Sequence, residues 1–320
     1  MSVCSAVYNR LTAIPETTIR RDVPLSQYTR FAIGGPAAIL IETANSNSFV
    51  QALDAAKSCS VAHVVIGGGT NLVVADSGFH GLVLRYSGRR IAQDGQLLRA
   101  EAGAVLQHVV DTSIAAGLEG LQTMTGIPGD LGGAIYGNAG AYGRSIQEIV
   151  ECVHWTDGTQ IHRFDKDACQ FSYRDSIFKR NKDWIVLSAD LRFGAGDPAE
   201  LARIADEIRT VRDAKYPPTM KCAGSIFKNL LYAELPSAVQ GQIPSKVVRE
   251  SKVPSAWFLE QAEVKGLRIG DIQVATYHAN LIYNDGAGTA ADLVKVIAEC
   301  KARVRDKFGF DLEEEVQYIG

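Results

Sequence analysis

GIPGDLGGAIYGNAGAYG, residues 126–143, holds seven of the chain's 30 glycines in 18 positions, and its reading decides the fold. A turn needs only a few residues free to take positive φ, so turning the chain does not account for so many. The spacing Gly-x-x-Gly-x-x-Gly-Gly lets a backbone pass close to a bulky anion with its N–H groups uncovered. Ile127, Leu131, Ile135 and Tyr136 are interleaved with the glycines and hold the loop onto a core.

Upstream, Val64-Val65-Ile66-Gly67-Gly68-Gly69-Thr70-Asn71-Leu72 sets three glycines directly after a buried strand, with Thr70 and Asn71 as side-chain donors. Alone, Gly-Gly-Gly reads equally well as a tight turn. Two such loops in one module point to a diphosphate cradled from both sides. Neither has the G-x-G-x-x-G spacing of the usual dinucleotide fold, and no G-x-x-x-x-G-K-[ST] occurs, so a P-loop is disfavoured as well.

Around the loops, periodicity predicts strands over 37–43 and 61–66 flanking a helix over 46–58, strands over 82–85 and 97–102, and a helix over 104–116 stopped by Gly117. A hairpin follows over 149–164 about Asp157-Gly158, then a strand over 184–193. The first module is expected to end near Gly196. Asp197, Pro198 and Glu200 open a helix with Leu201, Ile204, Ile208 and Val211 inward. Thr289 and Asp292 open another with Leu293, Val296, Ile297, Cys300, Val304 and Phe308 inward, before Gly309 and a closing strand over 312–319. Residues 230–254 carry three of the ten prolines and no pattern, and read as a surface loop.

The 320 residues are 46% hydrophobic and 22% charged, enough apolar material for two cores. A net charge of −3, with 33 basic and 36 acidic residues interspersed, argues against a nucleic-acid partner. No signal-peptide core opens the chain and no long apolar run follows, so a cytoplasmic protein with no membrane partner is expected. Cys4, Cys59, Cys152, Cys169, Cys222 and Cys300 form no C-x-x-C pair, and the six histidines form no H-x-x-H spacing, so free thiols and no metal are expected.

Three segments together resemble the UDP-N-acetylenolpyruvoylglucosamine reductase (MurB) family of the vanillyl-alcohol oxidase superfamily: Tyr28-Thr29-Arg30-Phe31 with Ile33-Gly34-Gly35-Pro36, GGGTNLVVADSGFHGLVL at 67–84, and the loop 126–143. FSYRDS (171–176), GSIFKN (224–229), Lys215-Tyr216-Pro217 and the tail LEEEVQYIG (312–320) are similar to that family's further motifs. The resemblance covers about residues 27–320. It departs over 230–254, and Glu263 stands where the family usually has glycine. The short interval between Arg174 and Phe193 resembles the subtype that lacks a long lid loop.

The fold so implied is α+β: a two-part FAD-binding module of the vanillyl-alcohol oxidase (PCMH) type followed by a smaller α+β substrate-binding domain. Its expected boundaries are an extension over 1–24, the FAD module over 25–196 and the substrate domain over 197–320. The resemblance assigns non-covalent FAD to Gly67, Gly68, Gly69, Thr70, Asn71, Gly126, Ile127, Pro128, Gly129, Gly132, Gly133, Asn138, Ala139 and Gly140. It assigns catalysis to Arg174, Ser225 and Glu315, and substrate binding to Tyr173, Lys215 and Asn229. The implied reaction is reduction of the enolpyruvyl ether of UDP-N-acetylglucosamine by a monomeric enzyme with NADPH as donor, in peptidoglycan precursor synthesis.

The residue types suit that chemistry. Hydride added to a carboxylate-bearing vinyl ether leaves an enolate, which needs a fixed positive partner and then a proton. A guanidinium stays charged and forks onto a carboxylate in one plane, which suits Arg174. A hydroxyl near the α-carbon can give up its proton, which suits Ser225. Glu315 can polarise or share a proton with the same carboxyl. Taken singly, Arg174 reads as a surface ion pair, Ser225 as a loop cap and Glu315 as a solvated glutamate; their order along the chain favours the functional set. The alternatives are a same-fold FAD oxidase of an alcohol or sugar, and a UDP-sugar binder without turnover.

Overall fold

A computed structural model describes residues 5–320, so Cys4 lies outside the described residues. The chain divides into two compact units. The first comprises the described residues up to 23, 36–69 and 79–214; the second comprises 24–35, 70–78 and 215–320. The expected boundaries at 24/25 and 196/197 differ from this division: the N-terminal stretch belongs to the first unit, which runs on through the helix Pro198–Lys215 to 214, and the segments 24–35 and 70–78 belong to the second.

In the first unit a four-stranded sheet runs in the order Thr18–Pro24, Pro36–Thr43, Phe79–Tyr86, His63–Ile66. The last three strands are mutually parallel, with Leu40 and Val64 both opposite Val83. Ile39, Leu40, Ile41, Leu82, Val83 and Leu84 are all buried, the near-continuous apolar run that a parallel strand covered on both faces requires. The crossover helix Ser46–Ser58 starts where the Asn45 side chain accepts the N–H groups of Asn47 and Ser48, and it buries Phe49, Ala52, Leu53 and Ala56. The strand Thr18–Pro24 is a polar edge strand, mostly exposed, which is why periodicity does not find it.

A five-stranded antiparallel sheet completes the unit in the order Ile161–Asp165, Val150–Thr156, Ile185–Arg192, Leu97–Glu101, Ile91–Asp94. Gly158 takes φ +93° at the hairpin turn, and Gly117 takes φ +67° after the helix Leu106–Ala115, as their places in the sequence require. The helix Pro198–Lys215 begins with Asp197 Oδ1 accepting from Ala199 N at 3.1 Å. Leu201 and Ala205 are its buried residues, and Val211, expected inward, is 58% exposed. The helix therefore buries its apolar residues in its N-terminal turns, while Arg212 further along lies against Gly126.

The second unit is built on an antiparallel sheet ordered Lys221–Ser225, Leu281–Asn284, Ile272–Val274, Arg268–Ile269. The helix Ala290–Phe308 packs on the strands Arg268–Ile269 and Ile272–Val274, capped by Thr289 at its start and by Gly309 at φ +79°. All six residues expected inward on it are buried. Burial pushes its Cys300 thiol up to about 12, and every described cysteine is free. Among the described residues no helix is long and apolar enough to cross a membrane.

Two expectations are corrected in this unit. Residues 230–254 are not a simple surface loop: Leu235, Val239, Ile243 and Val253 are buried in the core, and Leu230–Leu231 pairs with Lys252–Val253. Their anchors are spaced irregularly between prolines, so no helical or strand period marks them. The closing strand covers only Gln317–Ile319, paired in parallel with Leu72–Val74.

Glu263, at the position where glycine was expected, follows the helix Ser255–Gln261 with φ +54°. A left-handed residue with a Cβ costs about 1–2 kcal/mol, partly offset by the greater freedom glycine brings to the unfolded chain. Glu263→Gly should therefore raise the stability of the second unit by about 0.5–1 kcal/mol in urea unfolding followed by tryptophan fluorescence. A loss of stability would show that the Glu263 side chain matters more than its backbone.

Candidate active site

The two glycine loops meet within the first unit. A Cβ on Gly68 would stand 3.3 Å from Gly129 Cα and from Asp130 Oδ1, so the absence of side chains lets the loops close on each other. Gly132 admits no Cβ either, since one would lie 2.9 Å from Ala102 Cβ; its N–H donates to Ala102 O at 2.8 Å. Gly133, by contrast, faces open space, with nothing within 4 Å of where a Cβ would stand. A backbone bare on its outer side and packed on its inner side is what a closely seated diphosphate requires, and the residues present fit FAD. Asp130 is the acidic side chain at the junction. Burial raises its carboxyl above the ordinary range, opposed by Arg85 and Arg89, so it takes up a proton more readily beside an anion.

Residues 172–176 are pinned onto the second loop by three hydrogen bonds. Asn138 Nδ2 donates to Ser172 O at 2.7 Å, Arg174 Nη2 to Gly140 O at 2.9 Å, and Ser176 Oγ to Tyr136 O at 2.7 Å. Lys179 Nζ donates to Arg174 O at 2.8 Å, and the guanidinium stands 5.3 Å from the Tyr173 ring centre. Tyr173 and Arg174, both half-buried, thus lie beside Asn138 and Gly140 at the rim of the loop.

Ser225, Glu315, Lys215 and Asn229 belong to the second unit, as do Thr70 and Asn71. Gly224 at φ +80° and a register irregularity between Cys222 and Ser225 turn Ser225 out of the strand's alternation. The following backbone is held by Asn280, which is buried. Its Oδ1 accepts from Ile226 N at 3.1 Å and Phe227 N at 2.9 Å, and its Nδ2 donates to Phe227 O at 2.9 Å and Ser255 Oγ at 2.7 Å. Glu315 N donates to Ile226 O at 2.7 Å, and Asn71 Nδ2 donates to Glu315 O at 2.9 Å. The backbone therefore brings Glu315 next to the serine motif. Its two neighbours are committed elsewhere, Glu313 to Lys228 and Glu314 to Lys301 at 2.8 Å.

Lys215 ends its helix and accepts the Tyr277 hydroxyl on its carbonyl at 3.1 Å, while Asn229 Oδ1 accepts from Ser255 N at 3.3 Å. Two residues escape sequence reasoning. Asn280 carries no signal in sequence spacing, and Tyr216, whose hydroxyl lies 3.1 Å from Ser225 Oγ, shows only as the neighbour of Lys215.

One further cluster lies in the first unit. Cys152, His154 and Asp190 bring potential ligand atoms within 4.8 Å of one another across paired strands, which sequence spacing could not reveal. Arg99 forks onto both oxygens of Asp190 at 2.7 and 2.9 Å, and burial and Asp190 push the Cys152 thiol up. The cluster thus already balances its charge with a cation and a retained proton.

Residues 37–160 match the family described as FAD binding domain, and 216–319 match UDP-N-acetylenolpyruvoylglucosamine reductase, C-terminal domain. Fold and site define an FAD-dependent oxidoreductase with a PCMH-type module. The chain is 54% identical to the UDP-N-acetylenolpyruvoylglucosamine reductase of Solibacter usitatus, over 97% of this chain and 100% of that one. It is 37% identical to that of Rubrobacter xylanophilus, over 93% and 94%. The crystal structure of the Thermus caldophilus enzyme superposes with a TM-score of 0.75 at 27% identity, covering 95% of this chain and 100% of that chain. The chain belongs to the UDP-N-acetylenolpyruvoylglucosamine reductase family.

His278, near Lys215, is pushed down from 6.5 to about 4, by burial first and then by the Lys215 charge. A depressed pKa means the unfolded state binds more protons between these values, so stability rises with pH across that window and is lost on acidification. Replacing His278 by Gln should flatten the stability-versus-pH curve between pH 6.5 and about 4, measured by urea titration. An unchanged slope would show that His278 is not buried neutral.

Proposed function

We propose that this chain catalyses reduction of the enolpyruvyl ether of UDP-N-acetylglucosamine to UDP-N-acetylmuramate, with NADPH as electron donor, in the cytoplasm as a monomer. The product class serves peptidoglycan precursor synthesis, hence cell shape and division. What carries the reading is Arg174: a guanidinium held on Gly140 O at the rim of the flavin loop supplies a carboxylate-binding cation beside the cofactor's seat. Neither an oxidase nor a binder without turnover accounts for that arginine together with the serine motif.

FAD would be held by Gly67, Gly68, Gly69, Thr70 and Asn71 on one loop and by Gly126, Ile127, Pro128, Gly129, Gly132, Gly133, Asn138, Ala139 and Gly140 on the other. The chemistry it supplies when bound is hydride transfer, from NADPH to the methylene carbon of the vinyl ether. Arg174 binds the substrate carboxylate and stabilises the charge that grows there. Ser225 gives its hydroxyl proton to the α-carbon. Glu315 faces the same carboxyl and polarises the developing enol. Tyr173 orients the substrate, and Lys215 and Asn229 contact the UDP diphosphate and uridine.

Holoenzyme reduced anaerobically with NADPH should regain its oxidised flavin spectrum promptly when enolpyruvyl-UDP-N-acetylglucosamine is added. A spectrum that stays reduced would sink the proposal. Ser225→Ala should leave reduction by NADPH nearly intact and slow reoxidation by about 10² or more. Equal slowing of both half-reactions in stopped flow would remove Ser225 from the role of proton donor.

A further inference from the structure

Ser225 poses a chemical difficulty. An aliphatic hydroxyl is a weak acid, far closer to water than to any side chain that normally donates protons. Once its proton has gone to carbon, an alkoxide is left in a half-buried site, and it must be stabilised and refilled before the next turnover.

The second unit places a stronger acid on that oxygen. Tyr216 Oη lies 3.1 Å from Ser225 Oγ. The arrangement is built by the chain between them: the helix ends at Lys215, Pro217 and Pro218 prevent its continuation, and Met220 N returns to Pro217 O at 2.9 Å. The strand Lys221–Ser225 then runs back under the tyrosine and ends at the irregular step that exposes Ser225. The ring is fixed as well as the hydroxyl. It packs on the core of the unit and lies 6.1 Å from the His278 ring, tilted against it. The Lys215 ammonium stands 5.0 Å from the ring centre, a cation close to any negative charge the phenol takes on.

We propose that Tyr216 is the positioning residue of the proton donor: its phenol orients Ser225 Oγ–H toward the substrate and refills the serine after proton transfer. This deepens the reading of Ser225 given above and rests on it. In balance, the Ser225 O–H bond breaks as the α-carbon C–H bond forms, and the Tyr216 O–H bond breaks as the Ser225 O–H bond is restored. The phenolate left on Tyr216 recovers a proton from water. A phenol is a stronger acid than an aliphatic hydroxyl, so the second transfer runs downhill. His278 is not the donor in this scheme, because burial keeps it neutral down to about pH 4.

The test uses FAD-loaded Tyr216→Phe, which keeps the ring and loses the hydroxyl. Flavin reduction by NADPH should stay within about twofold of the parent, and substrate binding, read from the flavin difference spectrum, within about threefold. Anaerobic reoxidation by enolpyruvyl-UDP-N-acetylglucosamine should slow by about tenfold to a hundredfold, and its solvent deuterium isotope effect should rise as proton transfer becomes limiting. Reoxidation at the parent rate, or slowed without a larger isotope effect, overturns the proposal. Both half-reactions slowing together also overturns it, by assigning Tyr216 a packing role. Ser225→Ala run in parallel separates the two readings. If it slows reoxidation while Tyr216→Phe does not, the relay fails and the donor stands; if it does not, the donor fails and the relay with it.

Discussion

The hydrogen bonds that pin 172–176 onto the loop 136–140 hold the chemistry of the first unit in place. A glycine-rich loop exposes amides to an anion because nothing covers its backbone, and for the same reason it has few side chains with which to define its own shape. The strap supplies what the loop lacks. Ser176 and Arg174 donate to loop carbonyls, and Asn138 donates back from the loop to the strap. The same contacts that order the cofactor's seat fix where the guanidinium can stand. Loop and strap are thus coupled through backbone geometry rather than through a separate scaffold.

The second unit solves a parallel problem with one amide. Ser225 sits at a step where the strand ladder is irregular, and irregular backbone inside a core leaves N–H groups without ladder partners. Asn280 takes two of these and returns two donors of its own, so a break in the sheet becomes a defined feature. Glu315 is then located by a backbone bond to Ile226. Glu313 and Glu314, its neighbours in the chain, are held by lysines.

What the sequence disclosed and withheld follows from the range of each interaction. Helices with caps and stripes, such as Ser46–Ser58 and Ala290–Phe308, and the hairpin at Gly158 are local and were legible to within a few residues. The polar edge strand Thr18–Pro24 has no period to detect. The division of the chain was not legible as a single boundary, since 24–35 and 70–78 pass to the second unit between strands of the first. Even the motif Gly67-Gly68-Gly69-Thr70-Asn71 is divided, glycines in one unit and side-chain donors in the other. Asn280 and Tyr216 act on residues distant in the chain or across a turn, and no spacing rule marks such pairs. The motif strings themselves carried the candidate site.

Backbone strain gives an independent view of the same region. Asn138, Tyr142, Gln170 and Arg174 all take positive φ, at +42°, +52°, +45° and +55°, around the strap and the loop it caps. Glycine would relieve about 1–2 kcal/mol at each such position, and the chain uses glycine freely elsewhere in this loop. At Asn138 the amide reaches Ser172 O, and at Arg174 the guanidinium reaches Gly140 O. Relief of strain at these two positions would therefore remove the side chain that makes the contact. Glu263 is strained in the same way, yet the contact its backbone makes, Arg303 Nη1 donating to its carbonyl at 3.1 Å, asks nothing of its side chain. The difference between the two cases is whether the side chain itself makes the contact that joins strap and loop, and it separates strain offset by such a contact from strain merely tolerated.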